Sequence, residues 1–276
     1  MKSPKNPAAK TARTEAGEDR RGRILADFAA LNVPCSAEAL DAAVARAERE
    51  GLSHLEFLHV VIAEQAAQRR ERSIARRLRE GGLQEAKTLA TFDWQFNAKT
   101  IDRTRIEDLA SGEFVRRREN LVLAGQSGVG KSHIIQAVAQ QACVLGWRVR
   151  YTTSAELLMD LRASMADQTL ASRVRHYAKF DLLIIDEFGF DRLERAEAPQ
   201  AASLLYKVVH ARSEKRSTAL VTNIEFEAWG EYLGDPPLAM ALLDRIVDGA
   251  IILRIAGKSY RAHRAKPVKA PSRTST

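Results

Sequence analysis

The sequence predicts an α/β fold: a parallel sheet flanked by helices, with a small all-helical N-terminal domain. From about residue 100 onward, apolar segments of strand length alternate with helical patterns, as in βαβ units. One turn between a strand and a helix is glycine-rich and matches a phosphate-binding loop. Residues 22–82, in contrast, show only helical periodicity.

The composition is that of a globular protein. The chain has 276 residues, of which 45% are hydrophobic and 28% are charged. No apolar run approaches the roughly 20 residues that cross a bilayer, and no apolar signal segment follows Met1. The two cysteines are too few for a disulfide framework or a structural zinc site. We therefore expect a soluble protein of a reducing compartment, with no membrane partner.

Positive charge is concentrated at the two ends of the chain. The formal net charge is +8, with +4 in residues 1–23, +7 in residues 254–276 and −3 between them. Basic ends indicate a polyanionic partner, most simply nucleic acid, although basic tails can also serve solubility alone. We expect residues 1–21 to form a disordered basic arm and residues 263–276 a disordered basic tail.

The helical N-terminal domain, residues 22–82, is predicted to contain three helices, the first over about 21–32. Ser36 can cap the second helix, and Gly51 ends it. Ser53 and Glu56 form a capping box for the third helix, which Gly81-Gly82 ends. Four apolar residues share one face of this third helix: Leu55, Leu58, Ile62 and Ala66.

The end of the third helix carries six arginines within eleven residues: Arg69, Arg70, Arg72, Arg76, Arg77 and Arg79. Only Glu71 and Glu80 lie nearby to neutralise them. The cluster indicates a helix that contacts phosphate or a partner. A solvated face with cations near a helix C-terminus would show the same pattern.

Residues 83–98 form a predicted linker between the two domains. Phe92, Trp94 and Phe96 alternate, which places them on one side of an extended segment. Such a stripe packs onto the next domain or lines an adenine site.

The elements of the larger domain, residues 99–262, follow in regular order. Strands are predicted at about 121–124, 147–152, 180–185, 218–222 and 250–255. Helices are predicted at about 131–145, after a cap at Ser154, at 199–212 and at 239–247. Strands separated by helices imply a parallel sheet that is covered on both faces.

The turn after the first strand matches the motif G-x-x-x-x-G-K-[ST] in full: Gly125, Gln126, Ser127, Gly128, Val129, Gly130, Lys131 and Ser132. The glycines let successive backbone N–H groups face a phosphate chain, and the next helix adds its N-terminal dipole. Lys131 is expected to reach the β- and γ-phosphates, and the Ser132 hydroxyl to ligate Mg²⁺. The cofactors predicted are therefore ATP and Mg²⁺.

The apolar strand that ends at Ile185 is followed by two carboxylates, Asp186 and Glu187. Such a strand delivers acids to the ligand edge of a parallel sheet. Asp186 is expected to hold the Mg²⁺ shell through water, and Glu187 to polarise the attacking water. The adjacent glutamate favours hydrolysis over transfer to a second substrate.

Three further residues are candidates for sensing the γ-phosphate. Asn223 ends the next strand, where it can orient the water or simply make a turn. Arg245 and Arg261 are candidates for a guanidinium that reaches the γ-phosphate of a neighbouring subunit. Each could equally be a surface ion-pair partner, and the sequence does not decide between them.

These motifs lie in a chain that resembles the IstB-like helper ATPases of bacterial insertion sequences, which belong to the AAA+ ATPases close to DnaC and DnaA. The resemblance covers roughly residues 25–262. Besides the phosphate loop it includes these segments: Thr91-Phe92-Asp93-Trp94, Ile101-Asp102-Arg103, Leu109-Ala110, Glu119-Asn120-Leu121-Val122-Leu123, Trp229-Gly230, Gly234-Asp235-Pro236, Leu243-Asp244-Arg245 and Ser259-Tyr260-Arg261. The last few are the most specific, because generic P-loop proteins lack them.

The resemblance implies an AAA+ ATPase domain and a role for each candidate residue. The roles are ATP and Mg²⁺ binding for Lys131 and Ser132, the Walker-B pair for Asp186 and Glu187, sensor 1 for Asn223, the arginine finger across a subunit interface for Arg245, and the second sensor for Arg261. It also implies a cytoplasmic bacterial protein that forms ATP-dependent oligomers on double-stranded DNA, bends it, and recruits a cognate transposase. The alternatives are a DnaC-like helicase loader and a DNA-architectural protein for which ATP is only an assembly ligand.

The chain departs from the family pattern at three places. Residues 189–192 read Gly-Phe-Asp-Arg where the family usually has Gly-Tyr-Leu-Pro, which bears on the contacts of that loop. Ser132 stands where threonine is usual, with an equivalent hydroxyl. Asp248-Gly249 follow the arginine-finger segment, where histidine is frequent.

Overall fold

The computed structural model describes residues 20–83, 87–189 and 198–264. The chain divides into two compact units, residues 1–75 and 76–276. The predicted basic arm and tail lie outside the described residues, apart from residues 20–21 and 263–264, which are helical. Residues 190–192 of the divergent loop also lie outside them.

The first unit contains helices α1 (20–30) and α2 (Ala37–Glu50) and most of α3 (His54–Glu80). The second contains, in chain order, α4 (Arg103–Ala110), α5 (Glu113–Arg117), β1 (Leu121–Ala124), α6 (Lys131–Val144), β2 (Val149–Thr153), α7 (Ser154–Ala166), α8 (Leu170–Ala178), β3 (Leu182–Phe188), α9 (Ala198–Arg212), β4 (Ser217–Thr222), α10 (Trp229–Leu233), α11 (Pro236–Val247), β5 (Ile251–Arg254) and α12 (Tyr260–Arg264). None of the described helices is long and apolar enough to traverse a bilayer.

Side-chain caps define the helices of the first unit as predicted. The Ser36 hydroxyl accepts from the backbone N–H of Ala39 at 3.2 Å, and Gly51 ends α2 with φ of 64°. The backbone N–H of Ser53 donates to Glu56 Oε2 at 2.7 Å, and the N–H of Glu56 donates to Ser53 Oγ at 3.4 Å. The predicted capping box is therefore confirmed.

The apolar face predicted for α3 is exposed. The exposed fractions of Leu55, Leu58 and Ile62 are 79%, 52% and 53%, whereas Val61 and Gln65 are buried. The periodicity correctly identified residues that share one helix face, but the buried residues of α3, Val61 and Gln65, lie on another face.

The second unit is built on a five-stranded parallel sheet with the strand order β2-β3-β4-β1-β5. Helices α4 to α6 pack on one face of the sheet, and α7 to α11 on the other. Leu182 and Ile184 of β3 belong to the first core, and Leu183 and Ile185 to the second. This is the parallel sheet covered by helices on both faces that the sequence predicted.

The start of α7 differs from the prediction by one residue. The N-cap is Thr153, whose hydroxyl accepts from the N–H of Glu156 at 3.2 Å, while the Glu156 carboxylate accepts from the N–H of Thr153. Thr153 is the last residue of β2 and is extended, as a cap requires. Ser154 instead donates its hydroxyl to the carbonyl oxygen of Glu187 at 3.2 Å.

Arg212, at the end of α9, is a fully buried cation with neutral partners. Its guanidinium donates to the carbonyl oxygens of Tyr177 at 2.6 Å, Phe180 at 2.8 Å and Ser217, and to Thr218 Oγ1 at 3.1 Å. Burial lowers the pKa of this guanidinium to about 9. Arg212 therefore joins α9 to the end of α8 and the start of β4.

Replacing Arg212 with alanine is expected to lower the free energy of unfolding by about 3–5 kcal/mol, because buried carbonyl oxygens lose their donors. Chemical denaturation of this variant measures the loss. Arg216→Ala is the control, because Arg216 is partly exposed and pairs with Asp181 at 3.5 Å. Equal stability of the two variants would contradict the interpretation.

Candidate nucleotide-binding site

The phosphate loop connects the sheet's strand β1 to helix α6, and its backbone requires glycine. Gly125, Gly128 and Gly130 have φ angles of 150°, 81° and 106°. A Cβ atom at Gly125 would collide with the carbonyl oxygen of Ile255, and one at Gly128 with the hydroxyl of Ser259. The loop is therefore held closely against the segment that follows β5.

Lys131 is the first residue of α6, and its side chain turns back into the loop. The residue is 5% exposed, and Nζ donates to the carbonyl oxygens of Gly125 at 2.7 Å and Gln126 at 2.8 Å. Burial lowers the pKa of the Lys131 ammonium, the charge of Asp186 raises it in part, and the charge of Arg261 lowers it. A buried ammonium beside a glycine loop is suited to pairing with phosphate oxygens.

Strand β3 brings the acidic pair to the same edge of the sheet. Asp186 is 1% exposed, and its Oδ1 and Oδ2 accept from the N–H of Glu187 at 2.7 Å and the hydroxyl of Tyr151 at 2.8 Å. Glu187 is exposed and has φ of 59°, at a register shift between Ile185 and Phe188. This bulge directs successive carboxylates differently, one into the sheet and one to the surface.

A cavity of about 360 Å³ opens in front of the phosphate loop. Its walls are residues 127–133, Asp186 and Glu187, Tyr260, Arg261 and Arg264 of α12, and Lys87, Thr91, Phe92, Asp93, Phe96 and Ile101. The cavity thus joins the phosphate loop, the acidic pair and Arg261 in one place.

The three aromatic residues of the predicted linker have different surroundings. Residues 89–100 form turns, so the prediction of one extended stripe is wrong. Phe92 and Phe96 line the cavity, with ring centroids 5.2 Å from His133 and 5.0 Å from Tyr260 respectively. Trp94 is not a lining residue and packs edge-on against Phe92 at 4.9 Å.

Asn223 follows β4 and lies beside the end of β3. A Cβ atom at Gly189 would be 2.9 Å from Asn223 Oδ1, and this oxygen is buried without a hydrogen-bond partner. Buried polar atoms in native proteins are usually paired, often with water. The amide oxygen beside Gly189 is therefore available to a donor such as water, although Asn223 is not among the residues that line the cavity.

The two candidate arginines lie at opposite ends of the parallel strands. Arg261 lines the cavity. Arg245 donates Nε to the Tyr206 hydroxyl at 3.3 Å, and its carbonyl oxygen accepts from the Asn120 side chain at 3.0 Å. Asn120 precedes β1, whereas the phosphate loop follows it. Arg245 is therefore remote from the Lys131 of its own subunit.

The donor set fits Mg²⁺ bound together with phosphate. The described residues contain no group of three or more His, Cys, Asp or Glu that could hold a metal by themselves. Ser132 and Asp186 supply one hydroxyl and one carboxylate beside the phosphate loop. Mg²⁺ is commonly held by such a sparse set, with phosphate oxygens and water completing the coordination.

Several cavity residues were not predicted from the sequence, among them Lys87, Tyr260 and Arg264. Tyr260 and Arg264 lie in the five-residue helix α12, which is too short for a periodic pattern. Their closeness to Arg261 in the sequence was the available signal.

The sequence matches, over residues 26–267, the family described as IstB-like ATP binding protein. The ATP-binding protein of insertion sequence IS5376 from Geobacillus stearothermophilus is 33% identical over 232 residues, 84% of this chain and 90% of that protein. Its counterpart of IS21 from Pseudomonas aeruginosa is 35% identical over 216 residues, 78% of this chain and 80% of that protein.

Among solved structures, the DnaC helicase loader aligns with a TM-score of 0.47 and 18% identity, covering 55% of this chain and 86% of its own. DnaI aligns with a TM-score of 0.49 and 20% identity, covering 61% and 90%. The family assignment depends on the sequence matches, which extend over most of the chain. The chain belongs to the family of IstB-like ATP-binding proteins.

Proposed function

We propose that this chain is an ATP-dependent, oligomer-forming DNA-binding ATPase that assists transposition. It remodels target duplex DNA and recruits and stimulates a cognate transposase. The observation that carries the proposal is the convergence of Lys131, Asp186, Glu187 and Arg261 on one cavity, while Arg245 lies at the other edge of the sheet. A neighbouring copy can complete such a site, which couples ATP binding to assembly.

Each residue of the site has a separate role in ATP hydrolysis. The loop N–H groups and Lys131 bind the phosphates. Ser132 and Asp186 would hold Mg²⁺, which would supply positive charge to neutralise the phosphates. Glu187 accepts the proton of the water that attacks the γ-phosphorus, and ADP leaves. Asn223 Oδ1 orients that water. Phe92 and Phe96 line the cavity and supply the aromatic surface against which the adenine base packs.

The DNA partner is supported by the distribution of charge and by the relatives. The ends of the chain are strongly basic, and the sequence relatives are named as proteins of insertion sequences. Bending a duplex costs several kcal/mol, on the order of 1–6 for moderate bends. Phosphate contacts repeated along an oligomer can offset that cost.

Electrophoretic mobility of duplex DNA is the test of this function. We expect discrete high-order complexes with a non-hydrolysable ATP analogue, and none with ADP or without nucleotide. The affinity should fall by about 10³-fold or more between 50 and 200 mM salt if binding depends on many phosphate contacts. Single-stranded DNA of the same sequence is the control. Binding restricted to single strands, or no binding, would contradict the proposal and favour the helicase-loader alternative.

A further inference from the structure

The carboxylate of Asp186 is held by a tyrosine of the neighbouring strand. Tyr151 lies in β2 and donates its hydroxyl to Asp186 Oδ2 at 2.8 Å, while the other oxygen accepts from the N–H of Glu187. Asp186 is 1% exposed, so its orientation depends on these protein donors and little on bulk water. A hydrogen bond to a charged group is among the stronger ones in proteins.

A second polar side chain lies next to the tyrosine. Gln136 is 7% exposed, and its side-chain amide is close enough to the Tyr151 hydroxyl to lower the pKa of that hydroxyl, which burial and Asp186 raise. Gln136 lies four residues after Ser132 on α6, so the two occupy neighbouring positions on one helix face. The helix that carries Ser132 therefore also places a polar side chain beside the tyrosine that donates to Asp186.

A purely structural role for the hydroxyl is the competing explanation, since buried tyrosines usually find a partner. Tyr177 provides the comparison within this chain. It is 3% exposed, and its hydroxyl donates to Asp160 Oδ2 at 2.7 Å. Asp160 also pairs with Arg173 and does not line the nucleotide cavity. Two similar tyrosine–aspartate pairs thus differ in their closeness to the nucleotide site.

We propose that Tyr151 is a positioning residue for the Mg²⁺ that accompanies ATP. It holds the Asp186 carboxylate in one orientation, so that the remaining lone pairs are available to metal-bound water, and Gln136 keeps the tyrosine hydroxyl directed at Asp186. The inference rests on the proposed function in one respect, because it requires the cavity to bind ATP with a divalent cation.

The test is a titration of the full chain with Mn²⁺, followed by electron paramagnetic resonance in the presence of a non-hydrolysable ATP analogue. Tyr151→Phe keeps the ring and removes only the hydroxyl. We expect its Kd for Mn²⁺ to rise about tenfold or more, as for other outer-shell partners of metal sites. Its affinity for the nucleotide in EDTA should be unchanged. Gln136→Met should raise the Kd for Mn²⁺ less, in the same direction.

Tyr177→Phe is the matched control, because it removes an equivalent hydrogen bond away from the cavity and should leave the Kd for Mn²⁺ at the wild-type value. The inference is overturned if Tyr151→Phe also retains the wild-type Kd. A wild-type protein that binds Mn²⁺ and nucleotide but forms no complexes on DNA would refute the proposed function and leave this inference standing. A wild-type protein that binds neither would refute both.

Discussion

Replacing Lys131 with alanine is expected to weaken ATP binding at least about a hundredfold and to abolish ATP-dependent assembly. The Lys131 ammonium is almost fully buried in the loop, where it can meet two phosphate oxygens. Hydrogen bonds to charged groups are each worth roughly 1.5–3 kcal/mol, and 2.7 kcal/mol corresponds to about a hundredfold in affinity. Among the described residues Lys87 also lines the cavity, but it lies outside the phosphate loop.

The fold should tolerate this substitution. Burial lowers the pKa of Lys131, which means that the folded protein bears a cost for keeping the ammonium charged. The carbonyl oxygens of Gly125 and Gln126 lose a donor, but both face the loop where water can replace it. The free energy of unfolding should therefore change by no more than about 1 kcal/mol.

Titration with a fluorescent ATP analogue measures the affinity, and sedimentation with and without ATP measures assembly. Lys179→Ala is the matched control, because Lys179 is an exposed lysine at the end of α8 and does not line the cavity. It should bind and assemble as the wild type does. Wild-type assembly by the Lys131 variant would show that nucleotide does not control oligomer formation.

The phosphate loop and the acidic pair were accessible from the sequence because their geometry is local. A strand, a glycine turn and a helix follow one another, and the φ angles of Gly125, Gly128 and Gly130 come from the residues themselves. The parallel sheet then brings the ends of β1 and β3 to one edge. The structure confirms that the phosphate loop and the acidic pair lie at the same end of the sheet. The chemical roles of Lys131 and Asp186 stay predictions.

Other features depend on tertiary contacts that no local pattern encodes. The register of β3 against β4 brings Asn223 beside Gly189, and the contact between Tyr151 and Asp186 joins different strands. Alternation in the linker predicted an extended stripe, but residues 89–100 form turns and bends, and Trp94 packs on Phe92 and does not line the cavity. Short helices such as α5 and α12 have too few residues to show a period.

The positions of Arg245 and Arg261 also depend on tertiary structure that the local sequence does not encode. They are sixteen residues apart in the sequence, on either side of β5, and the residues around each arginine do not show which of the two lies near the phosphate loop of its own subunit. In the structure Arg245 lies beside Asn120, which precedes β1, whereas Arg261 lines the cavity at the loop that follows β1, so the two residues lie at opposite ends of the parallel strands. The strand direction, which is a property of the whole sheet, therefore decides which arginine faces the cavity of its own subunit.

Arg245→Ala is expected to lower the rate of ATP hydrolysis about 10³-fold, the lower end of the range for arginine fingers. Its affinity for ATP should stay close to that of the wild type, because the residue does not line the cavity of its own subunit. The Arg245 guanidinium contacts the hydroxyl of Tyr206 and lies 5.7 Å from the centroid of its ring. These contacts hold the guanidinium at the surface, where a neighbouring subunit can approach it.

Steady-state hydrolysis and nucleotide binding, measured on the same preparation, separate the two effects. Arg216→Ala is the control, because Arg216 precedes β4 at the same amino edge of the sheet and pairs with Asp181. It should hydrolyse ATP at the wild-type rate. An Arg245 variant that loses ATP affinity and rate equally would contradict a role confined to the transition state.

Mixing the Arg245→Ala and Lys131→Ala proteins tests whether the arginine acts across an interface. The first protein has an intact phosphate loop, and the second has an intact Arg245. A head-to-tail pair can therefore assemble one complete site from two defective copies. We expect the mixture to hydrolyse ATP well above the sum of the separate proteins. Each protein lacks one of the two residues, so action within one subunit could not produce that recovery. If the mixture shows no recovery, the proposal of a shared site loses its support.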